Sequence, residues 1–303
     1  MSFSVTILGS GSAVPTSRRN PSGQLIECSN RYFLIDCGEG TQMQLRKFGV
    51  KFQKIDQIFI SHLHGDHYFG LVGLLSTMHL MGRERKISIY GPVGLKSIII
   101  GQLDRGGSKL SFQIHVEEIK PNTSTVLFED EKCSVRCFPL SHSIPTSGFV
   151  IEEKSKEPKL MYEKAKKDGI LIEYYHRLKK GEDIMHDGRL ILAEEYTETK
   201  SKPKQYAYCS DSGYQELTIE NVEGVDVLYH EATFVEVLKD RAIATYHSTA
   251  LDAANIAKKS GAGKLLMGHL SARYETGDLH LKEAKTVFSN CQVVKDGERY
   301  VID

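Results

Sequence analysis

The hydrophobic pattern of the first hundred residues alternates short apolar runs with longer stretches of helical spacing. The short runs predict strands at Val5–Leu8, Tyr32–Ile35, Gln57–Ile60 and Ile87–Tyr90. The longer stretches predict helices at Glu39–Phe48, Phe69–Met81 and Val93–Ile100. Gly49 is expected just after the first helix, and Gly91-Pro92 is expected to open the third. Strands that alternate with helices are typical of an α/β fold.

The pattern changes between Glu152 and Lys180, where apolar runs are few and lysines are frequent. The lysines are Lys154, Lys156, Lys159, Lys164, Lys166, Lys167, Lys179 and Lys180. We interpret this segment as an insertion that projects from the main domain, although a solvated surface helix and loop would have the same composition. After Lys204 the alternation resumes, with strands expected at Tyr206–Cys209, Val225–Tyr229 and Leu265–Gly268 and a helix at Ser248–Ser260.

Composition adds limits on the class of protein. The 303 residues include no apolar run long enough for a transmembrane helix, and the first residues lack the pattern of a secretory signal. The six cysteines are scattered and form no Cys-x-x-Cys pair, which favours buried reduced thiols in a cytoplasmic protein. The formal net charge is zero, so any nucleic-acid site would have to be a local patch.

The strongest chemical signal is the segment Ser61–His67, which reads Ser-His-Leu-His-Gly-Asp-His. Directly after a predicted strand it offers four potential metal ligands, namely His62, His64, Asp66 and His67. Imidazole and carboxylate groups together suit zinc, and also manganese or iron. In an extended segment His62 and His64 can point to the same side, and a turn at Gly65 can direct the other two ligands to a second point. One short loop can therefore serve two metal ions.

Three further potential ligands follow predicted strands elsewhere in the chain. His142 lies in Pro-Leu-Ser-His-Ser, Asp211 in Tyr-Cys-Ser-Asp-Ser-Gly, and His269 in Leu-Leu-Met-Gly-His. Because the ends of strands meet at one edge of an α/β sheet, we expect the three side chains to lie together. Taken singly, each would equally suit a capping or surface position.

The motif at His62–His67, with His142, Asp211 and His269 in that order, resembles the metallo-β-lactamase superfamily, and the chain closely resembles its ribonuclease Z family. The matching segments are Leu8–Gly11, Arg19–Ser22, Ile35–Gly40, Ser61–His67, Pro139–Ser143, His230–Thr233, His247–Thr249 and His269–Tyr274. The histidine motif indicates only the superfamily, whereas the His-Glu-Ala-Thr and His-Ser-Thr segments are more specific. The resemblance implies an α/β fold of four layers, an αββα sandwich in a single domain, with an arm inserted at about residues 152–180.

The resemblance also implies how the site is organised. Two Zn²⁺ ions per subunit, or Mn²⁺ or another divalent metal, would share seven ligands, which are His62, His64 and His142 for one ion, Asp66, His67 and His269 for the other, and Asp211 between them. Asp36 would orient ligands from behind. Asp66 would accept a proton from the attacking water. His247, oriented by Glu231, would serve the leaving ribose oxygen; without the resemblance, this pair would be interpreted as a brace between two strands.

The activity that the resemblance implies is removal of the 3′ trailer from precursor tRNA, leaving a 3′-hydroxyl on the tRNA and a 5′-phosphate on the trailer. Bacterial members carry an arm that grips tRNA, so Lys164, Lys166 and Lys167 are expected to contact backbone phosphates. The usual arm has a Gly-Pro dipeptide, and this chain has Gly169-Ile170 instead.

Two further features have alternative interpretations. Arg273 and the Arg18-Arg19-Asn20 turn are candidate RNA contacts, or they form ion pairs. Family members commonly form homodimers, and the apolar Phe69–Met81 stretch is either a subunit contact or a core helix.

Three other functions compete with this interpretation. A small-molecule phosphodiesterase or thioesterase of the same superfamily shares the histidine motif but generally lacks the arm and the two specific segments. A flavodiiron-type redox enzyme normally has Glu near Gly65 or Asp66 and needs a flavin domain for which no residues remain. A non-catalytic RNA-binding relative usually has a broken ligand set, and here every ligand is present.

Overall fold

The structure is a computed structural model, and it describes residues 3–154, 158–198 and 202–302. Lys156, one of the lysines noted in the sequence, lies outside the described residues. The chain divides into two compact units, a larger one of Met1–Glu152 with Lys204–Asp303 and a smaller one of Glu153–Pro203.

The larger unit consists mainly of strands. In chain order the strands are β1 (Phe3–Gly9), β2 (Gly11–Ser12), β3 (Gly23–Cys28), β4 (Arg31–Cys37), β5 (Gln57–Phe59), β6 (Ile87–Pro92), β7 (Ile114–Ile119), β8 (Thr125–Glu129), β9 (Cys133–Leu140), β10 (Thr146–Glu153), β11 (Ile184–His186), β12 (Arg189–Ile191), β13 (Gln205–Cys209), β14 (Val227–Glu231), β15 (Lys264–Gly268), β16 (Leu270–Ser271), β17 (Cys291–Val293) and β18 (Arg299–Val301). Of these, β11 and β12 belong to the smaller unit.

The helices are shorter than the sequence pattern predicts at most ends. In chain order they are α1 (Thr41–Lys47), α2 (Gly65–Tyr68), α3 (Leu71–Leu80), α4 (Leu95–Arg105), α5 (Tyr162–Lys167), α6 (Tyr175–Lys179), α7 (Ala193–Tyr196), α8 (Glu216–Asn221), α9 (Lys239–Ala244), α10 (Ala250–Lys259) and α11 (Asp278–Lys285). Single 3₁₀ turns cover Phe52–Lys54, Ile172–Tyr174 and Glu236–Leu238.

Two seven-stranded sheets form the centre of the larger unit. The first has the order β18-β1-β3-β4-β5-β6-β7, and the second has the order β17-β15-β14-β13-β10-β9-β8. Each sheet has a parallel part, β4 to β7 in the first and β13, β14, β15 and β17 in the second. In these parallel parts several strands end at the same edge, where a site can form.

Three layers of buried side chains hold the two sheets and their helices together. Alternation along each strand sends Phe33 and Tyr208 into the cluster between the sheets, while Leu34 and Cys209 face the helices. The outer face of the first sheet packs on α1, α3 and α4, and that of the second sheet packs on α10 and α11. The order of layers is therefore helix, sheet, sheet, helix, and the predicted α/β sandwich is confirmed.

The smaller unit has a core of its own. Seven buried apolar residues form it, namely Ala165, Ile170, Leu178, Ile184, Ile191, Ala193 and Tyr196. Ile170 is the residue that replaces proline in the family's usual dipeptide, and it is 5% exposed. The unit extends to Pro203, beyond the predicted 180, because the β11–β12 hairpin and α7 supply the second half of this core.

One detail of the sequence prediction is wrong. Gly91 and Pro92 end β6, where Pro92 pairs with Ile119 of β7, and they do not open a helix. The helix begins at Leu95, after Gly94 turns the chain with a φ of +102°. A Cβ on Gly91 would lie 2.5 Å from the Leu95 side chain, so glycine here permits close packing of strand and helix.

The helix expected at Ser248–Ser260 spans Ala250–Lys259 as α10, and a capping box opens it. Thr249 accepts a hydrogen bond from the Asp252 backbone N–H, and the Asp252 carboxylate accepts one from the Thr249 N–H. All six cysteines are buried, and none of them forms a disulfide bond. None of the helices in the described part of the chain is both long enough and apolar enough to cross a membrane.

Buried His280 on α11 gives the fold a sensitivity to acid. Neither of its ring nitrogens has a hydrogen-bond partner among the described residues, and its ring stands edge-on to Tyr274 at 4.6 Å between centroids. Burial and the nearby Arg19 charge lower the pKa of His280 to about 4. Since an unfolded histidine has a pKa of about 6.5, the unfolded chain takes up this proton first as the pH falls.

We expect His280→Phe to reduce the loss of stability between about pH 6.5 and pH 4. The free energy of unfolding should fall less over this range than in the unsubstituted protein, by up to about 3 kcal/mol. Chemical denaturation at several pH values measures the difference, and His115→Phe, at an exposed histidine, is the control. Identical pH profiles for His280→Phe and the unsubstituted protein would contradict this account.

Candidate metal centre

The polar residues of the site follow strands that end at one edge of the two sheets. Asp36 lies at the end of β4, and the segment Ser61–His67 follows β5 in the first sheet. The second sheet supplies four more, namely His142 after β9, Asp211 after β13, Glu231 at the end of β14 and His269 after β15. The structure thus brings together all seven ligands that the sequence suggests.

The first group of ligands consists of three histidines and one carboxylate. The His64 Nδ1 atom lies 3.1 Å from His62 Nε2 and 3.2 Å from His142 Nε2. Asp211 Oδ2 lies 3.6 Å from His62 Nε2 and 3.8 Å from His142 Nε2. One atom from each of the four side chains lies within 4.8 Å of the others, which is the arrangement of a metal site with four ligands.

The second group lies on the other side of Asp211. Asp66 Oδ2 is 3.4 Å from the Nε2 atoms of both His67 and His269. Asp211 turns its other oxygen, Oδ1, to the same two nitrogens, at 3.4 Å from His67 and 3.2 Å from His269. Asp211 therefore presents one oxygen to each group, which is the geometry of a bridging carboxylate.

The pKa shifts and the unpartnered buried atoms of this cluster suit the binding of cations. Burial by itself raises the pKa of Asp211, but His269 and His67 outweigh it and hold that pKa well below its usual range. Burial and the neighbouring His67 lower the pKa of His62, which keeps its ring neutral and able to ligate. The buried atoms His67 Nε2 and Asp211 Oδ1 have no hydrogen-bond partner among the described residues. Such orphaned atoms, aimed at one point, fit a bound divalent ion.

Asp36 organises the first sheet's side of the site. Its carboxylate accepts hydrogen bonds from the Ser61 N–H at 2.8 Å, the Ser61 hydroxyl at 2.9 Å and the Tyr208 hydroxyl at 2.7 Å. Its Oδ2 atom also lies 2.8 Å from His67 Nδ1. These bonds leave the Nε2 atom of His67 to face the ligands, as expected of a carboxylate that orients a metal-binding histidine.

Two more of the candidate histidines, His142 and His269, are held in the same way by groups that sequence reasoning missed. The His142 Nδ1–H donates to the Tyr246 carbonyl at 2.9 Å, and His269 Nδ1 lies 3.0 Å from the Thr233 hydroxyl. The fourth position of His-Glu-Ala-Thr was a signal for Thr233, whereas a backbone carbonyl such as that of Tyr246 leaves no trace in sequence.

Backbone conformation at the site is unusual. Asp36, Tyr246 and His269 have φ values of 55°, 56° and 57°, in the left-handed region that residues with a Cβ rarely adopt. Each of the three supplies a group that binds or orients within the ligand cluster. Three of the non-glycine residues with positive φ among the described residues therefore lie where the candidate ligands converge.

Close backbone contact fixes the histidine-rich loop against β4. A Cβ on Gly38 would lie 2.3 Å from the Asp66 carbonyl oxygen, and a Cβ on Gly70 would lie 2.1 Å from the Gly38 carbonyl oxygen. Only glycine permits these approaches. Asp66 also accepts a hydrogen bond from the Ala13 N–H at 2.8 Å, which sets the direction of its carboxylate.

Glu231 and His247 form a pair beside the ligands. Glu231 is fully buried and accepts bonds from His247 Nδ1 at 2.7 Å, the Ser212 N–H at 3.0 Å and the Thr233 hydroxyl at 2.7 Å. Burial lowers the pKa of His247, but the Glu231 charge outweighs this and raises it to about 9. The His247 ring centroid lies 5.2 Å from that of His142 and 5.6 Å from that of His269. The pair therefore faces the candidate ligands as well as joining two strands.

The basic residues proposed from sequence have different surroundings. Arg273 is exposed, bonds the Ser271 hydroxyl and lies over the Phe234 ring, which in turn contacts His247. Arg18 forms an ion pair with Glu275 at 3.4 Å, which favours the ion-pair alternative for this residue. In the smaller unit Lys164, Lys166 and Lys167 are exposed on α5.

Comparison with known proteins gives a consistent result. The family model described as anti-Pycsar protein Apyc1 matches residues 3–198 of this chain, which therefore belongs to that family. Proteins named ribonuclease Z match nearly the whole length. That of Cytophaga hutchinsonii is 42% identical over 100% of this chain and 97% of its own, and that of Bacteroides fragilis is 40% identical over 97% of both.

Solved structures agree with the sequence comparison. The short form of human tRNase Z superposes with a TM-score of 0.74 at 29% identity, over 99% of both chains. The metallo-β-lactamase fold protein YhfI of Bacillus subtilis has a TM-score of 0.69 at 23% identity, over 99% of this chain and 100% of its own, and supports the fold alone. The ligand cluster, the Glu231–His247 pair and this likeness over the full length show that the chain belongs to the ribonuclease Z family, within the metallo-β-lactamase fold.

Proposed function

We propose that the protein is a zinc-dependent endoribonuclease that removes the 3′ trailer from precursor tRNA. The observation that supports this most is the coexistence of two ligand groups around Asp211 with the Glu231–His247 pair, in a chain about 40% identical to ribonucleases Z. A superfamily hydrolase for small molecules needs the first feature but has no evident need for the second.

The residues present fit two divalent ions. His62, His64 and His142 would hold one, while Asp66, His67 and His269 would hold the other, with Asp211 shared. Five imidazoles and two carboxylates favour zinc, and manganese is an alternative. When bound, such ions supply charge that stabilises the phosphate oxygens and acidify a water molecule that can act as the nucleophile.

Asp66 is ionised and lies close to the candidate ligands His67 and His269. Burial raises its pKa, but His67 and a hydrogen bond from His269 outweigh this and lower the pKa, so the carboxylate is ionised at neutral pH. Its Oδ2 atom is held toward the ligands by the Ala13 N–H. We propose that Asp66 takes the proton of the attacking water as the new phosphorus–oxygen bond forms.

His247 is placed to protonate the leaving ribose oxygen. Attack by water breaks the bond between phosphorus and the ribose 3′ oxygen, and that oxygen needs a proton. The Nδ1–H of His247 is engaged by Glu231, so the opposite nitrogen, Nε2, can donate to it. The products are then a 3′-hydroxyl on the tRNA and a 5′-phosphate on the trailer.

The remaining parts of the proposal concern partners and location. We propose that the smaller unit binds tRNA as an arm and that the protein works as a homodimer in the cytoplasm. Phe69, Leu80 and Met81 at the ends of α2 and α3 are 65%, 81% and 56% exposed, which suits a subunit contact, while Leu74 and Leu75 of α3 are core residues. Six buried cysteines that form no disulfide bond suit a reducing compartment.

We expect the protein to cut precursor tRNA just after the discriminator nucleotide, to leave a 3′-hydroxyl, and to lose the activity with a chelator. Asp66→Ala and His247→Ala should each lower the rate by roughly 100-fold or more, because each removes a proton-transfer group. The measurement is cleavage of a precursor with mapping of both product ends. Asp104→Ala, at an exposed carboxylate on α4, is the control.

Two outcomes of this assay would overturn the proposal. Cyclic 2′,3′-phosphate ends would show attack by the RNA's own hydroxyl instead of water. Hydrolysis of bis(p-nitrophenyl) phosphate without any cut in precursor tRNA would favour a small-molecule phosphodiesterase.

For the arm, Lys166→Gln with Lys167→Gln should weaken precursor binding and reduce the slope of log affinity against log salt by about 2. Lys164 is left in place because its Nζ bonds the Glu195 carbonyl at 2.7 Å and lies 4.6 Å from the Tyr196 ring centre, so it supports the unit itself. Hydrolysis of bis(p-nitrophenyl) phosphate should not change.

The matched control for the arm is the double variant Lys51→Gln with Lys109→Gln, at exposed lysines of the larger unit. An unchanged salt slope in the arm variant, or an equal loss in both double variants, would remove these two lysines from tRNA binding.

A further inference from the structure

A cavity of about 650 Å³ opens next to His247 within the larger unit. Its lining includes Tyr214, Ile243, Tyr246 and the two lysines Lys239 and Lys259. The volume lies in the range of about 300–1,000 Å³ that is usual for small-molecule sites, and is ample for one nucleoside. The proposed reaction assigns no role to this cavity.

The walls of the cavity offer exposed apolar and aromatic surface. Tyr214 is 37% exposed, Tyr246 is 50% exposed and Ile243 is 65% exposed. Lys259 fixes Tyr214 by bonding its hydroxyl at 2.8 Å and lying 5.5 Å from the ring centre. Exposed aromatic rings beside a phosphate-cleaving site are suited to stacking on an unpaired base.

The charges in the cavity point to a neutral group and not to a phosphate. Lys239 lies 3.1 Å from Glu236 and 3.7 Å from Asp252, and Lys259 lies 3.0 Å from Glu216. Both ammonium groups are therefore already paired with carboxylates. A second phosphate would find little unbalanced positive charge here, whereas a base needs none.

The position of the cavity identifies which base it would take. Tyr246 directly precedes His247, and its strained backbone carbonyl holds the ligand His142 at 2.9 Å. A proton donor must lie within hydrogen-bond reach of the leaving oxygen, so the ribose that carries this oxygen lies beside His247. The base of that same nucleotide is then one ribose away, at the mouth of the cavity.

We infer that this cavity is a nucleoside subsite in which Tyr246 and Tyr214 hold the base on the 5′ side of the cut, whose 3′ oxygen leaves. The inference rests on the proposed function, since it needs His247 at the leaving oxygen. It makes Tyr246 a substrate-binding residue through its ring and a positioning residue for His142 through its carbonyl.

The test compares two precursor tRNAs that differ only in the nucleotide on the 5′ side of the cut, which carries a base in one and is abasic in the other. For the unsubstituted protein, kcat/KM should be roughly 10- to 100-fold higher with the base present. In Tyr246→Ala this ratio should fall to about 1. Tyr246→Phe should restore it, because the ring and the carbonyl are both retained.

Two controls separate stacking from general damage to the site. An abasic position on the 3′ side of the cut should have the same effect in the unsubstituted protein and in Tyr246→Ala. Tyr32→Ala, at the end of β4 that lies away from Asp36, should leave the base-to-abasic ratio as it is in the unsubstituted protein.

The outcomes separate a failure of the nucleoside subsite from a failure of the proposed function. If the unsubstituted protein cuts no precursor at all, the proposed function fails. If it cuts the precursors but the base-to-abasic ratio is near 1, or if the ratio survives in Tyr246→Ala, the nucleoside subsite is wrong and the proposed function stands.

Discussion

The position of one buried carboxylate, Asp211, between two groups of histidines is the interaction on which the rest of the site depends. Each of its oxygens faces a different pair of imidazole nitrogens, at 3.2 to 3.8 Å. A buried charge needs partners, and Asp211 Oδ1 has no hydrogen-bond partner among the described residues. Two divalent ions would satisfy both oxygens and the orphaned His67 nitrogen together, and the surrounding hydrogen bonds keep the ligands ready for them.

The fold meets this constraint by ending strands of both sheets at one edge. Asp36 joins the sheets directly, because its carboxylate accepts from Ser61 after β5 and from Tyr208 of β13. Left-handed backbone at Asp36, Tyr246 and His269 then directs groups that straight strands could not aim at the same point. This rigidity matters for the chemistry, because the ligands of a metal centre must be held in place before the substrate binds.

The same edge carries the groups that would act on RNA. The Glu231–His247 pair shares the Thr233 hydroxyl as a hydrogen-bond partner with the candidate ligand His269. Beyond His247, the tyrosine-lined cavity continues the site away from the ligands. Under the proposed function, Asp66, His247 and the tyrosine-lined cavity would serve nucleophile activation, leaving-group protonation and base binding in turn.

Much of this organisation was accessible from sequence, for identifiable reasons. Strand ends gather at sheet edges, which is why His142, Asp211 and His269 were expected to lie together despite lying far apart in the chain, while the family resemblance supplied their roles. The prediction that Gly91-Pro92 opens a helix was wrong because proline suits both a helix start and the end of a strand. The Tyr246 carbonyl and the cavity were inaccessible, since backbone acceptors and concave surfaces arise only when distant segments pack.

The hydrophobic pattern of the sequence also did not reveal the full length of the smaller unit. Its second half carries too few apolar residues to show a period, yet Ile184, Ile191 and Tyr196 complete a core with residues of α5 and α6. Small cores of this kind depend on a handful of contacts that hydrophobic periodicity does not reveal.

The most direct test of the account is the number of metal ions that the chain binds and where they lie. Elemental analysis of the purified protein, with anomalous diffraction at the zinc edge, should give two ions per chain on opposite sides of Asp211. Asp211→Ala should lower the content of both. A single ion per chain, or full occupancy in Asp211→Ala, would contradict the shared carboxylate at the centre of this account.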